Sequence, residues 1–219
     1  MPVDWMKEKL FGISGPYIDY KCLLIGQAEL PLGEKQRKHL EKITRKIKEV
    51  YGEIHRIAIP NQEPYISGAG IIKRELRDIE IVKDRGLREI DLGLLNGMHK
   101  KEALEKHPNY FIEPWKNIDK RFPRGESLRE AITRISNTTR RIIEKYHDER
   151  VLFLLGDLGV KSSIGMLNNY DPREILGLRI EKHKILELNG NRFIRMIDLK
   201  DIKIKNHYTI IESSKNLLL

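Results

Sequence analysis

Two short loops carry residues able to do chemistry: Gly26–Leu30, with Gln27 and Glu29, and Gly156–Gly159, with Asp157. Each follows an apolar run and leads into a helical pattern. Each is therefore expected at the carboxyl end of a buried strand, where open α/β sheets bind their ligands. Gln27 offers an amide that both donates and accepts hydrogen bonds; the alternative is that it only fills space. Asp157 would most simply cap the helix that follows it, although the loop's amides could also form a nest for an anion. None of the seven histidines (His39, His55, His99, His107, His147, His183 and His207) falls at the end of a buried strand. Cys22 is the only cysteine, so an internal disulfide and a cysteine-held metal are excluded. No metal-ligand spacing occurs elsewhere, and no cofactor is expected.

The elements that must position these loops follow from hydrophobic spacing. Tyr20–Gly26 (YKCLLIG) is a short apolar run and reads as a buried strand over Lys21–Ile25. Gly33–Tyr51 places Leu40, Ile43, Ile47 and Val50 on one stripe of a helix that Gly52 ends. Ile54–Ile59 reads as a strand, Pro60–Tyr65 as a turn, Gly68–Arg77 as a short helix and Ile79–Val82 as a short strand. Leu87–Pro123 is loop-like with short helices, among them Lys100–Lys106, closed by His107-Pro108. Ser127 is an N-cap with Glu130 as its capping-box partner, opening a helix to about Tyr146. Val151–Leu155 (VLFLL) is the strongest strand signal, and Val160–Leu167 the helix after it. Lys184–Leu188 and Arg192–Ile197 read as a hairpin turning at Asn189-Gly190. Strands alternating with helices predict an α/β sheet covered on both faces.

Composition narrows the class further. The chain has 219 residues, 40% hydrophobic and 33% charged, which suits one globular domain rather than a disordered chain. No apolar run is long enough to cross a membrane, and the N-terminus MPVDWMKEKLFG lacks the pattern of a secretory signal. A reducing cytoplasm is the expected setting. The 41 Lys and Arg against 32 Asp and Glu give a net charge of +9, which leaves nucleic acid or small anions open as partners. The basic residues of Lys35–Lys48, Arg140-Arg141 and Lys200–Lys205 lie on polar helix faces or between acids, with no interleaved aromatics. A solvated surface is the preferred reading, and nucleic-acid binding a minority one. Phe111 and Pro114-Trp115 read as packing.

The ordered set Leu87-Arg-Glu-Ile-Asp-Leu-Gly93, Gly97-Met98, His107-Pro108, Phe111 and Phe122-Pro-Arg-Gly-Glu-Ser127 closely resembles the histidine phosphatase (phosphoglycerate mutase-like) superfamily, most nearly its fructose-2,6-bisphosphatase branch. The resemblance runs from about Tyr20 to Asp198. It implies a three-layer α/β/α sandwich around a mostly parallel sheet of about six strands, one of them antiparallel. It makes residues 1–219 a single domain, with additions at 1–19 and about 200–219. It also implies a phosphate pocket built from an Arg-His-Gly at the end of the first strand, a second Arg after the second strand, a second His after the later buried strand, and a Glu as proton donor. Two arginines and an imidazolium would neutralise the transferring phosphoryl group, and the nucleophilic imidazole would divide the reaction into two steps.

Carried over residue by residue, most of that pocket is missing. Gly26-Gln27-Ala28-Glu29 stands where Arg-His-Gly-Glu is expected, Pro64 at the second Arg, and Gly156-Asp157 at the second His. Glu89 matches the proton donor, Gly125-Glu126-Ser127 matches the family's turn, and Lys161 falls near a common basic position. Glu89, Glu29 and Asp157 would then line one crevice. Carboxylates gathered there raise one another's pKa, which suits acid–base chemistry, and an uncharged or cationic ligand fits such a crevice better than a phosphate. As ligand-binding candidates the reading gives Gly26, Gln27, Glu29, Glu126, Ser127, Gly156 and Asp157, with Glu89 as the catalytic candidate. The favoured function is a catalytically degenerate pseudophosphatase that binds a small polar ligand or a protein. The alternatives are a repurposed enzyme using Glu89, and a nucleic-acid-associated scaffold. Analogy with the family adds a homo-oligomer.

Overall fold

The computed structural model of the chain describes residues 10–14, 23–179, 184–189 and 192–198. Six strands form one sheet: β1 (Leu10–Ser14), β2 (Arg56–Pro60), β3 (Glu80–Asp84), β4 (Val151–Leu155), β5 (Lys184–Asn189) and β6 (Arg192–Asp198). Their order is β3-β2-β4-β1-β5-β6. The first four of these run parallel. β5 is antiparallel to β1, and β6 turns back beside it as the expected hairpin.

The helices are α1 (Glu34–Tyr51), α2 (Tyr65–Leu76), α3 (Lys100–Lys106), α4 (Pro108–Lys116), α5 (Leu128–Lys145), α6 (Asp157–Asn168) and α7 (Pro172–Gly177). Alternation along the strands builds the layers, because successive side chains leave a strand on opposite faces. Ile57 and Ile59 of β2 and Leu152 and Leu154 of β4 pack with Leu40, Ile43 and Ile47 of α1 and with Ala69 and Ile72 of α2. Ala58, Val151, Phe153 and Leu155 point the other way, onto Ile142 of α5 and Val160 of α6. A third cluster joins α5 to the 90–122 segment through Leu92, Leu95, Phe122, Leu128 and Ile132. The result is a three-layer α/β/α sandwich. Among the described residues no helix is long and apolar enough to cross a membrane.

One expected strand is replaced. Leu10–Ser14, expected within an N-terminal addition, holds the centre of the sheet between β4 and β5. Of Lys21–Ile25, expected to be that strand, residues 21 and 22 lie outside the described residues, and Leu23 makes only a single bridge, to His99. Leu24 is buried, but in the cluster with Leu92 and Leu95 rather than in the sheet. An apolar run reports burial without saying what covers it. Smaller differences have local causes. His107-Pro108 closes α3 at Lys106 as expected, and Pro108 also opens α4, since a first-turn proline lacks only an N–H that would go unpaired anyway. α2 begins at Tyr65, earlier than the sequence suggests, and α7 was not foreseen.

Candidate functional site

The loops after β2, β3 and β4 converge at the carboxyl end of the sheet. Glu89 lies in the loop after β3, and α5 fixes that loop. Arg134 of α5 donates to the carbonyls of Gly86 at 2.9 Å, Arg88 at 3.0 Å and Glu89 at 3.2 Å. Its guanidinium also holds the Glu126 carboxylate, at 3.0 Å and 2.5 Å. Glu126 accepts in turn from the Asp91 N–H at 2.9 Å. Asp91 takes the Asn96 amide at 2.7 Å, and Asn96 accepts from the Gln27 N–H at 2.9 Å. The Gln27 side chain closes the circuit by donating to the Glu89 carbonyl at 2.9 Å. Each polar group in this ring is paired, which fixes the Glu89 backbone from two sides.

The expected site residues therefore separate. Gln27 is tied to the Glu89 backbone; it does not stand at the end of a sheet strand, because the first strand ends at Ser14. Gly26 has φ of +47°, and a Cβ there would overlap the Asn96 side chain, so this turn requires glycine. Glu29 accepts from the Glu63 N–H at 2.7 Å and pairs with Arg88 at 3.4 Å. It faces outward, whereas the sequence placed it beside Glu89 and Asp157. Ser127 caps α5, accepting from the Glu130 N–H at 3.1 Å, while the Glu130 carboxylate takes the Ser127 N–H at 2.8 Å. Asp157 is the first residue of α6 rather than its cap; Gly156 holds the cap position. Asp157 pairs with Lys161 at 2.8 Å, and its negative charge reaches Glu89. Pro64 follows a cis peptide bond and stands at the start of α2.

Glu89 and Gly156 do meet. A Cβ placed on Gly156 would overlap Glu89 Oε1 and lie 2.7 Å from the Tyr65 hydroxyl oxygen. Glu89 as a residue is half-buried, yet its Oε1 is sealed from solvent and has no hydrogen-bond partner. Burial, and then the Asp157 charge, push its carboxyl up to about 7, against the pull of the Gly159 and Ile90 amides and of Arg134. Burial, and then Glu89, push the Tyr65 hydroxyl well above its ordinary value. The neighbouring Gln62 is 2% exposed and donates to the Ala28 carbonyl at 3.0 Å. Tyr65, Gln62, Asn96 and Arg134 were not singled out in the sequence. Their partners lie far along the chain, and no local pattern marks them.

The chemistry of this arrangement is that of a carboxyl able to exchange a proton near neutrality, and the basic groups around it are committed to partners within the protein. Arg88 is bonded to the Asn61 carbonyl and to Glu29, Arg134 to Glu126 and three carbonyls, and Lys161 to Asp157. Among the described residues no group of three or more His, Cys, Asp or Glu could hold a metal ion.

With this fold and these loops in view, the chain belongs to the histidine phosphatase superfamily: the family's branch 1 model matches residues 19–193. It is similar to a 2,3-bisphosphoglycerate-dependent phosphoglycerate mutase of Parvibaculum lavamentivorans, 30% identical over 47% of this chain and 50% of that protein. It is also similar to phosphoserine phosphatase 1 of Hydrogenobacter thermophilus, 27% identical over 58% of this chain and 53% of that protein. The chain thus spans about half the length of the curated relatives it matches. Among solved structures, the α-ribazole phosphatase of Shigella flexneri superposes with a TM-score of 0.77 at 15% identity, over 91% of this chain and all of that one. Bacillus stearothermophilus YhfR gives 0.72 at 21% identity, over 84% and 93%. These two likenesses are of fold.

Proposed function

We propose that this chain keeps the histidine phosphatase scaffold without its phosphohistidine chemistry and acts by binding a small polar ligand or a protein. One observation carries the reading. At the end of β4, where the family resemblance places the second histidine, stands Gly156, and the space a side chain would take there is held by Glu89 Oε1 and the Tyr65 hydroxyl. The first histidine is missing in either register. The strand that ends at Ser14 is followed by Gly15-Pro-Tyr-Ile-Asp19, and the chain holds no histidine before His39. The committed guanidinium groups of Arg88 and Arg134 agree with a site that no longer receives phosphate. The relatives named as mutase and phosphatase set the alternative to be beaten. The purified chain should give no turnover of phosphoserine, 3-phosphoglycerate or p-nitrophenyl phosphate at any pH between about 5 and 9. Turnover that Glu89→Gln abolishes would overturn the reading.

A second reading, a repurposed enzyme, is favoured by the Glu89 carboxyl itself, which titrates near 7 and leaves an oxygen unpartnered. A group of that kind suits proton transfer to or from an uncharged or cationic substrate. A thermal-shift panel of phosphate, phosphosugars, neutral sugars and amines separates the two. Stabilisation by a neutral or cationic compound, lost in Glu89→Ala, favours the enzyme. Stabilisation by none of them favours a protein partner.

A further inference from the structure

We propose that the Glu89 carboxyl is a plug, seated against Gly156 only in its neutral form, and that ionisation lifts it out and opens the end of the sheet to solvent. The argument is geometric first. Glu89 Oε1 is sealed from water and accepts no hydrogen bond. A neutral carboxyl tolerates that position, whereas an ionised one loses hydration on an oxygen that nothing in the protein replaces. The seat exists because residue 156 is glycine; any side chain there would claim the same space.

The groups facing the plug decide the direction. From α6, Asp157 repels an ionised Glu89, and Lys161 is drawn off to Asp157 at 2.8 Å. From α5, Arg134 attracts it, but its nitrogens are bonded to Glu126 and to the backbone carbonyls of Gly86, Arg88 and Glu89. From α2, Tyr65 presents a hydroxyl whose own ionisation is pushed up, so it stays neutral. The Gly159 and Ile90 amides favour the charged form, and burial outweighs them, leaving the group to titrate near 7. A small rise in pH then frees the Glu89 side chain from its seat, while Gln27 and Arg134 keep its backbone in place. The device does not depend on the loss of phosphate chemistry and stands or falls separately from it.

Hydrogen exchange on the full chain, read by mass spectrometry at about pH 5.5 and about pH 8.5, tests this. Protection factors remove the intrinsic pH dependence of exchange. In the native chain, protection over residues 156–163 should fall about tenfold or more between the two. In Glu89→Gln, which keeps the shape without the charge, it should stay level. Asp157→Asn, altered at an exposed side chain, removes a charge that repels ionised Glu89 and should move the midpoint of the change to lower pH. Equal protection at both pH values in the native chain, an equal fall in Glu89→Gln, or an unmoved midpoint in Asp157→Asn would each overturn the plug.

Discussion

At the residue scale the molecule turns on a carboxyl held where a side chain of residue 156 would otherwise stand. Because Glu89 is raised from 4.5 to about 7 in the fold, the folded state binds its proton more tightly than the unfolded chain. Stability from this group is complete below about pH 4.5 and is lost as pH rises through about 7. The shift corresponds to about 3 kcal/mol at most. Denaturant titrations at about pH 5 and about pH 8 should show this decline in the native chain and not in Glu89→Gln. Gly156→Ala forces a methyl group into the space of Glu89 Oε1. Its expected cost is about 1–3 kcal/mol, read in the same titrations, and the Glu89 slope should shrink as the carboxyl is displaced to water.

At the scale of elements, α5 fixes the candidate site through Arg134. Removing its cap with Ser127→Ala should cost about 1 kcal/mol of stability, measured by thermal or denaturant unfolding. Arg134→Met would leave the Glu126 carboxylate, 14% exposed, without its cation, and the Gly86, Arg88 and Glu89 carbonyls without their Arg134 donor. That should cost about 3 kcal/mol or more and loosen the loop at Glu89, visible as faster exchange at residues 86–92. Local signals made α5 legible: a serine three residues before a glutamate, then an apolar stripe through Leu128, Ile132, Ile135 and Ile142. α1 and β4 were legible for similar reasons, and the ordered motif from Leu87 to Ser127 carries the family resemblance in the sequence alone. The central strand was not. Leu10–Ser14 contains a glycine and a serine, while Tyr20–Gly26 is richer in apolar residues, so local hydrophobicity chose the wrong segment. That choice placed Gln27 in the nucleophile's position. Glu89 and Gly156 are singled out by motif, whereas Tyr65 and Arg134 reach them only through contacts distant in sequence.

At the scale of the whole molecule, a mostly parallel sheet between two helical layers brings the loops after β2, β3 and β4 to one end, and there Arg88, Arg134 and Lys161 are taken up by internal partners. The chain as a whole carries a net charge of +9, so a basic surface elsewhere is a separate basis for binding. Binding to a short DNA duplex, if driven by that surface, should fall steeply with salt and be the same in Glu89→Gln. The central claim is that the scaffold no longer carries a phosphohistidine. The most direct measurement is to incubate the chain with labelled 2,3-bisphosphoglycerate or phosphoserine, quench it in alkali, and look for acid-labile phosphate on the protein. The account predicts no labelled protein. Acid-labile label recovered on a histidine peptide would contradict it.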